Sequence, residues 1–132
     1  MNSNFKPLKN LIFASILGLV SVAMGAFGAH ALKDILEPEA LQSYETGVRY
    51  MMVHALALLF LNNSTALEQK TKNTLSSLFI VGIVFFSGSI FAIQLKLVDA
   101  SSIWFITPLG GLLLISGWFG MALAFFRKKR AS

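Results

Sequence analysis

The sequence predicts an all-α membrane protein: four transmembrane helices in an up-down-up-down bundle, with a short interfacial helix between the first two. Three observations carry that prediction. The chain of 132 residues is 55% hydrophobic and 13% charged, against about 25% charged in an ordinary soluble domain. Its mean hydropathy is +0.70. Four apolar stretches, at about residues 11–31, 47–66, 73–95 and 103–126, each reach the ~20 residues that a helix needs to cross a ~30 Å hydrocarbon core. None alternates with period two, as a strand would, and none shows the polar face of a helix in a soluble bundle. Residues 1–132 are read as one domain.

The first stretch, Leu11 to Ala31, holds no charge. Its small residues Ala14, Gly18, Ser21, Gly25 and Ala29 fall within about 60° of one another at ~100° per residue, so they predict a close-packed seam against a neighbouring helix. Lys6 and Lys9, the apolar run and Ala29-His30-Ala31 also resemble a secretory signal with its cleavage site. The run is longer than the ~7–15 residues of such a signal and is broken by glycine, which favours a span. After it, Pro38 suits the first turn of a helix and Glu39 its positive end. Leu41, Tyr44 and Val48 recur at helical spacing, which predicts the interfacial helix; Glu45 and Arg49 are four apart in the favourable order. The second span carries His54, and a short polar loop (Asn62 to Ser64, then Glu68 to Asn73) leads to the third. Loops this short imply antiparallel neighbours. Gly110, Gly117 and Ala124 give the fourth span a small-residue face like that of the first, while Trp104 marks its outer end.

Charge orients the chain. Lys6, Lys9, Lys70, Lys72, Arg127, Lys128, Lys129 and Arg130, eight of the eleven basic residues, lie on one side of the predicted spans. Lys33, Arg49 and Lys96 lie on the other, mixed with five of the six carboxylates. The positive-inside rule therefore predicts both termini in the cytoplasm. The basic residues are read as topology signals and contacts for anionic lipid. A nucleic-acid partner is not expected, because no aromatic residues interleave with the basic runs.

Residues that could carry chemistry are few. Zero cysteines exclude disulfides, thiolate metal sites and cysteine nucleophiles. All six carboxylates fall in loops or at interfaces, which argues against a proton-coupled exporter with a membrane-embedded acid. His30 and His54 sit at different depths, which disfavours haem, and no third ligand supports zinc. No serine lies in a nucleophile-elbow setting. The expectation is a protein without enzymatic activity, metal or cofactor. The residues singled out as a candidate polar binding cluster near the outer ends of helices one and two are His30, Arg49, Tyr50, His54, Ser87, Ser89 and Thr107. Arg49 and His54, five apart, point about 140° from one another on a helix. His54 is expected neutral and hydrogen-bonded to a neighbouring helix, His30 nearer the interface and more exposed. The Trp118 indole is expected to seek a serine or a backbone carbonyl.

In order along the chain, Gly25-Ala26-Phe27-Gly28-Ala29-His30-Ala31-Leu32, Thr46-Gly47-Val48-Arg49-Tyr50, His54-Ala55-Leu56-Ala57-Leu58-Leu59, Phe86-Ser87-Gly88-Ser89 and Thr107-Pro108-Leu109-Gly110-Gly111 with Gly117-Trp118 resemble the YgdD-like family of small bacterial inner-membrane proteins, domain of unknown function 423. The resemblance covers about residues 11 to 126. It implies a four-helix protein of the bacterial inner membrane and carries no activity. Two classes of function stay open: a non-enzymatic bundle acting through membrane lipid or protein partners, self-association through its glycine faces included, and a binder or transporter of a small solute or lipid headgroup.

Overall fold

The computed structural model describes residues 5–131, with side chains from residue 8 onward, so the inference drawn from Lys6 lies outside the described side chains. The described residues form α1 (Phe5–Phe27), a π-helical turn (Gly28–Leu32), α2 (Pro38–Asn63), α3 (Gln69–Gln94), the one-turn α4 (Ala100–Ile103) and α5 (Ile106–Ala131), and no strand. Three helices are long and apolar enough to cross a membrane: α1 continued through the π-turn, α3 and α5. The stretch around residues 47–66 does not reach that standard. It belongs to α2, a helix of 26 residues that also carries Glu39, Glu45, Arg49 and two asparagines.

There is no separate interfacial helix. Pro38 opens α2, as its fixed φ and missing N–H favour, and nothing after it stops the helix before Asn63. Gly47, the one weak helix former between the two expected helices, is held by Phe91 and Ile90 of α3. The fourth apolar stretch starts later than expected. A proline is tolerated in the first turn of a helix but not deeper, so Pro108 holds the start of α5 at Ile106 and leaves Ala100–Ile103 as its own turn. At its other end α5 runs through Arg127–Arg130, placing basic side chains where the helix dipole favours them.

α2 and α3 form the centre. α1 packs along α2, α2 along α3, and α3 along α5. Burial follows a seven-residue repeat. On α2 it takes Tyr44, Met51 and Leu58 together with Gly47, His54 and Leu61; on α5 it takes Gly110 and Gly117 with Leu114 and Met121. A repeat of 3.5 residues keeps one seam facing its neighbour along the length of a helix pair. On α1 the same repeat buries Ala14, Ser21 and Gly28. The expected stripe is therefore right at Ala14 and Ser21 and wrong at its last member: Ala29 is exposed, because the wider π-turn starting at Gly28 changes the phase of the side chains. Nor are Gly18 and Gly25 points of closest approach. A Cβ on Gly18 would meet nothing within 4 Å, and one on Gly25 would lie 3.4 Å from Val48.

The tight crossing lies between α3 and α5. A Cβ on Gly110 would collide with the backbone N of Phe86, and would stand 2.8 Å from its Cα and 2.9 Å from the Gly82 carbonyl. Small residues let membrane helices approach in this way. About two turns further on, Gly117 receives the ring of Phe79. The loop after α3 closes with paired bonds from Lys96 N to Ile93 O and Leu97 N to Ala92 O. It holds Lys96 at φ 56°, a left-handed position more usual for glycine.

Candidate functional site

His54 of α2 is buried. Its Nδ1 lies 2.7 Å from the Tyr50 carbonyl of its own helix, and its Nε2 lies 3.0 Å from the indole nitrogen of Trp118 on α5. These partners assign the tautomer. An indole N–H only donates and a carbonyl only accepts, so Nε2 carries a lone pair and Nδ1 carries the proton. The ring is neutral, buried, and fully engaged. Phe79 stands 5.4 Å from it and 5.5 Å from the Trp118 ring. The bond to a neighbouring helix expected for His54 is present, although its partner is the indole, which the sequence reading had assigned to a serine or a carbonyl.

Two further bonds follow toward the same end of the bundle. Buried Ser87 donates to the Gly47 carbonyl at 2.7 Å, joining α3 to α2. The Ser89 and Thr107 hydroxyls meet at 2.6 Å, joining α3 to α5. Tyr50 lies against Phe86 at 4.6 Å between ring centres and stays partly exposed. The residues singled out in the sequence therefore divide. His54, Ser87, Ser89 and Thr107 fasten α2, α3 and α5 to one another. His30, in the π-turn, and Arg49 are exposed and stand apart from that seam. No ion pair joins Glu45 to Arg49 among the described residues. Tyr44 supplies the fastening between α1 and α2 at this end: its hydroxyl donates to the Met24 carbonyl at 2.7 Å, and its ring fills the space above Gly28.

A second polar group, at the opposite end of the bundle, was missed by the sequence reading. Asn10 of α1 donates to Asn62 Oδ1 of α2 at 2.9 Å and to Asn73 Oδ1 of α3 at 3.1 Å. Asn62 in turn donates to the Leu58 carbonyl and to Ser76, each at 2.9 Å, and Gln69 donates to Asn73. Lys72 reaches the Ser64 carbonyl at 3.0 Å, placing a cation at the C-terminus of α2. The available signal is three asparagines at one end of three apolar stretches; by sequence alone Asn62 and Asn73 read as loop and helix boundary. Beside this network a groove of about 360 Å³ opens between α1 and α3. No group of three or more metal-ligating side chains occurs among the described residues.

Comparison with known proteins agrees with this architecture of apolar helices. The family model described as "Protein of unknown function (DUF423)" matches residues 24–111. A UPF0382 membrane protein of Haemophilus influenzae is 37% identical over 92% of this chain and 96% of its own length. The UPF0382 inner membrane protein YgdD of Escherichia coli K12 is 37% identical over 91% of both chains. A UPF0382 membrane protein of Staphylococcus haemolyticus is 34% identical over 89% of this chain and 94% of its own. No solved structure matches. With helices able to cross a bilayer and relatives of this identity along nearly its whole length, the chain belongs to the DUF423 (UPF0382) family of membrane proteins.

Proposed function

We propose that the protein is a non-enzymatic four-span bundle of the inner membrane, with both termini in the cytoplasm, acting through lipid or protein partners on its outer surface. One observation carries the reading: the buried polar side chains are engaged with one another. His54, Ser87, Ser89 and Thr107 each hold a partner on another helix, and five grooves among the described residues are lined by other side chains. Such a seam holds helices together and presents no open group to a solute.

Four spans are supported by the way α2 lies along α1. The two helices touch at one end through Asn10 and Asn62, midway through Ser21 and Met52, and at the other end through Met24 and Tyr44. A helix matched to α1 over this length covers the same thickness of bilayer, and its modest hydropathy is tolerable because its neighbours screen much of it from lipid. The basic residues on the Asn10 side support the orientation. Exposed apolar side chains along α1 and α5, among them Leu19, Val22, Ile115 and Phe119, supply the surface for partners. Gly18 on α1 and Gly88 on α3 leave room for a second backbone.

Reporter fusions after Leu36, Thr65, Leu97 and Ser132 test the topology. Cytoplasmic activity is expected at Thr65 and Ser132 and periplasmic activity at Leu36 and Leu97; a periplasmic signal at Ser132 overturns it. Metabolite analysis of the gently purified protein tests the mode of action. A stoichiometric small solute that is lost in His54→Ala would replace this reading with a solute binder.

A further inference from the structure

The groove between α1 and α3 is ordered in depth. At its mouth stand Lys9, Asn10, Asn73 and Ser77; below them lie Phe13, Ile80 and Val81. From Asn73 to Val81 is about 12 Å along the helix at ~1.5 Å per residue, so the polar end sits at headgroup level when the apolar end sits among acyl chains. The volume of about 360 Å³ falls within the ~300–1,000 Å³ of small-ligand sites.

The polar end has unspent hydrogen-bonding capacity of a definite kind. The Lys9 ammonium lies 6.0 Å from the Phe13 ring, and among the described residues no carboxylate lines the groove with it. Asn10 uses its amide N–H groups on Asn62 and Asn73, which leaves its Oδ1 as an acceptor. Asn73 has the converse balance: its Oδ1 accepts from Asn10 and Gln69, and its Nδ2 donates to no group among the described residues. The site thus offers one cation, one amide donor and one acceptor within a rigid network. That set suits a phosphate diester flanked by a hydroxyl.

We propose that this groove holds one anionic phospholipid, its phosphate at Lys9 and Asn73, a headgroup hydroxyl on Asn10, and its acyl chain over Phe13, Ile80 and Val81. Long basic side chains near helix ends attract anionic lipid, but a general attraction leaves the lipid mobile. The asparagine network is what gives this site a fixed geometry. The assignment rests on the four-span reading only for which leaflet supplies the lipid; the binding measurement below does not depend on topology, so the two fail separately.

The test uses the full chain purified in a neutral detergent and incubated with phosphatidylglycerol or phosphatidylcholine, with retained lipid counted by native mass spectrometry. One phosphatidylglycerol per chain is expected to be retained in preference to phosphatidylcholine. Lys9→Gln should weaken that binding about fivefold, the worth of one cation at a membrane surface. Lys9→Arg should restore it, and Ser77→Leu, which fills the mouth from an exposed position, should abolish it. Lys129→Gln, far along the chain on α5, should leave the single bound lipid in place. Equal retention of the two lipids would overturn the proposal. So would equal losses in Lys9→Gln and Lys129→Gln, which would mean diffuse charge attraction, or a lipid-free dimer lost in Ser77→Leu, which would mean that a second copy covers the groove.

Discussion

Replacing Gly110 by alanine adds a single methyl group at the α3–α5 crossing, where every close neighbour is backbone: the N and Cα of Phe86 and the carbonyl of Gly82. A side chain can rotate out of the way; a helix backbone cannot. Restoring the 2.8 Å approach to Phe86 Cα to an ordinary contact requires the helices to part by about 1 Å. Overpacking of this kind costs about 1–3 kcal/mol. The separation also stretches two bonds made across the same helices, Ser89 to Thr107 and Trp118 to His54. Polar contacts between membrane helices average about 0.6 kcal/mol and reach about 1.7. Together these place the loss near 3 kcal/mol. The assay is unfolding by sodium dodecyl sulfate in mixed micelles, followed by tryptophan fluorescence. Gly18→Ala is the matched control: nothing lies within 4 Å of the added carbon, and the helix gains up to about 1 kcal/mol from losing a glycine. Gly110→Ala should unfold at distinctly lower detergent fraction than the parent, and Gly18→Ala at the same or a higher one. If the two variants unfold together, close backbone approach is not what holds α5 to α3.

Three other outcomes are expected. Trp118→Phe keeps most of the ring and removes the N–H, so it should destabilise by about 1 kcal/mol; in the parent, nitrogen-15 spectra should find the His54 proton on Nδ1, and a proton on Nε2 would contradict the assigned bond. Asn62→Leu strips partners from Asn10 and Ser76 and should cost about 2 kcal/mol, whereas Asn63→Leu, one residue on and exposed, should stay within about 0.5 kcal/mol in the same unfolding titration. Lys96→Gly relieves the φ of 56° and should raise stability by roughly 1 kcal/mol; a loss would mean that the lysine side chain contributes more than its backbone position detracts.

The helices and their approximate ends were legible because apolar runs and helix length are local properties. Details that depend on a second segment were not. Trp118 and His54 each advertised a need for a partner, but their separation of 64 residues meant that only the packing of α5 could join them. Asn62 sits two residues before a loop and reads as part of it until α1 and α3 are seen beside it. The face of α1 was read at a uniform ~100° per residue, a rule that fails where the π-turn begins, so Ala29 was chosen and its neighbour Gly28 overlooked. The expected interfacial helix shows the same limit from the other side: Leu41, Tyr44 and Val48 were correctly placed on one helical face, but nothing in their spacing revealed that the helix continues unbroken to Asn63.

The bond between Trp118 and His54 also has a consequence in time. A ribosome adding about 5–20 residues each second delivers Trp118 roughly 3–13 seconds after His54, the time that 64 residues take at that pace. Throughout that interval the imidazole has entered with a nascent chain that does not yet contain its donor. On the four-span reading the second helix is thus the one least able to remain in lipid unaided, and it waits longest for its partner. Arrival of the last helix is the moment at which assembly becomes self-sufficient, and a chain truncated before residue 118 is left with an unanswered polar group in its interior.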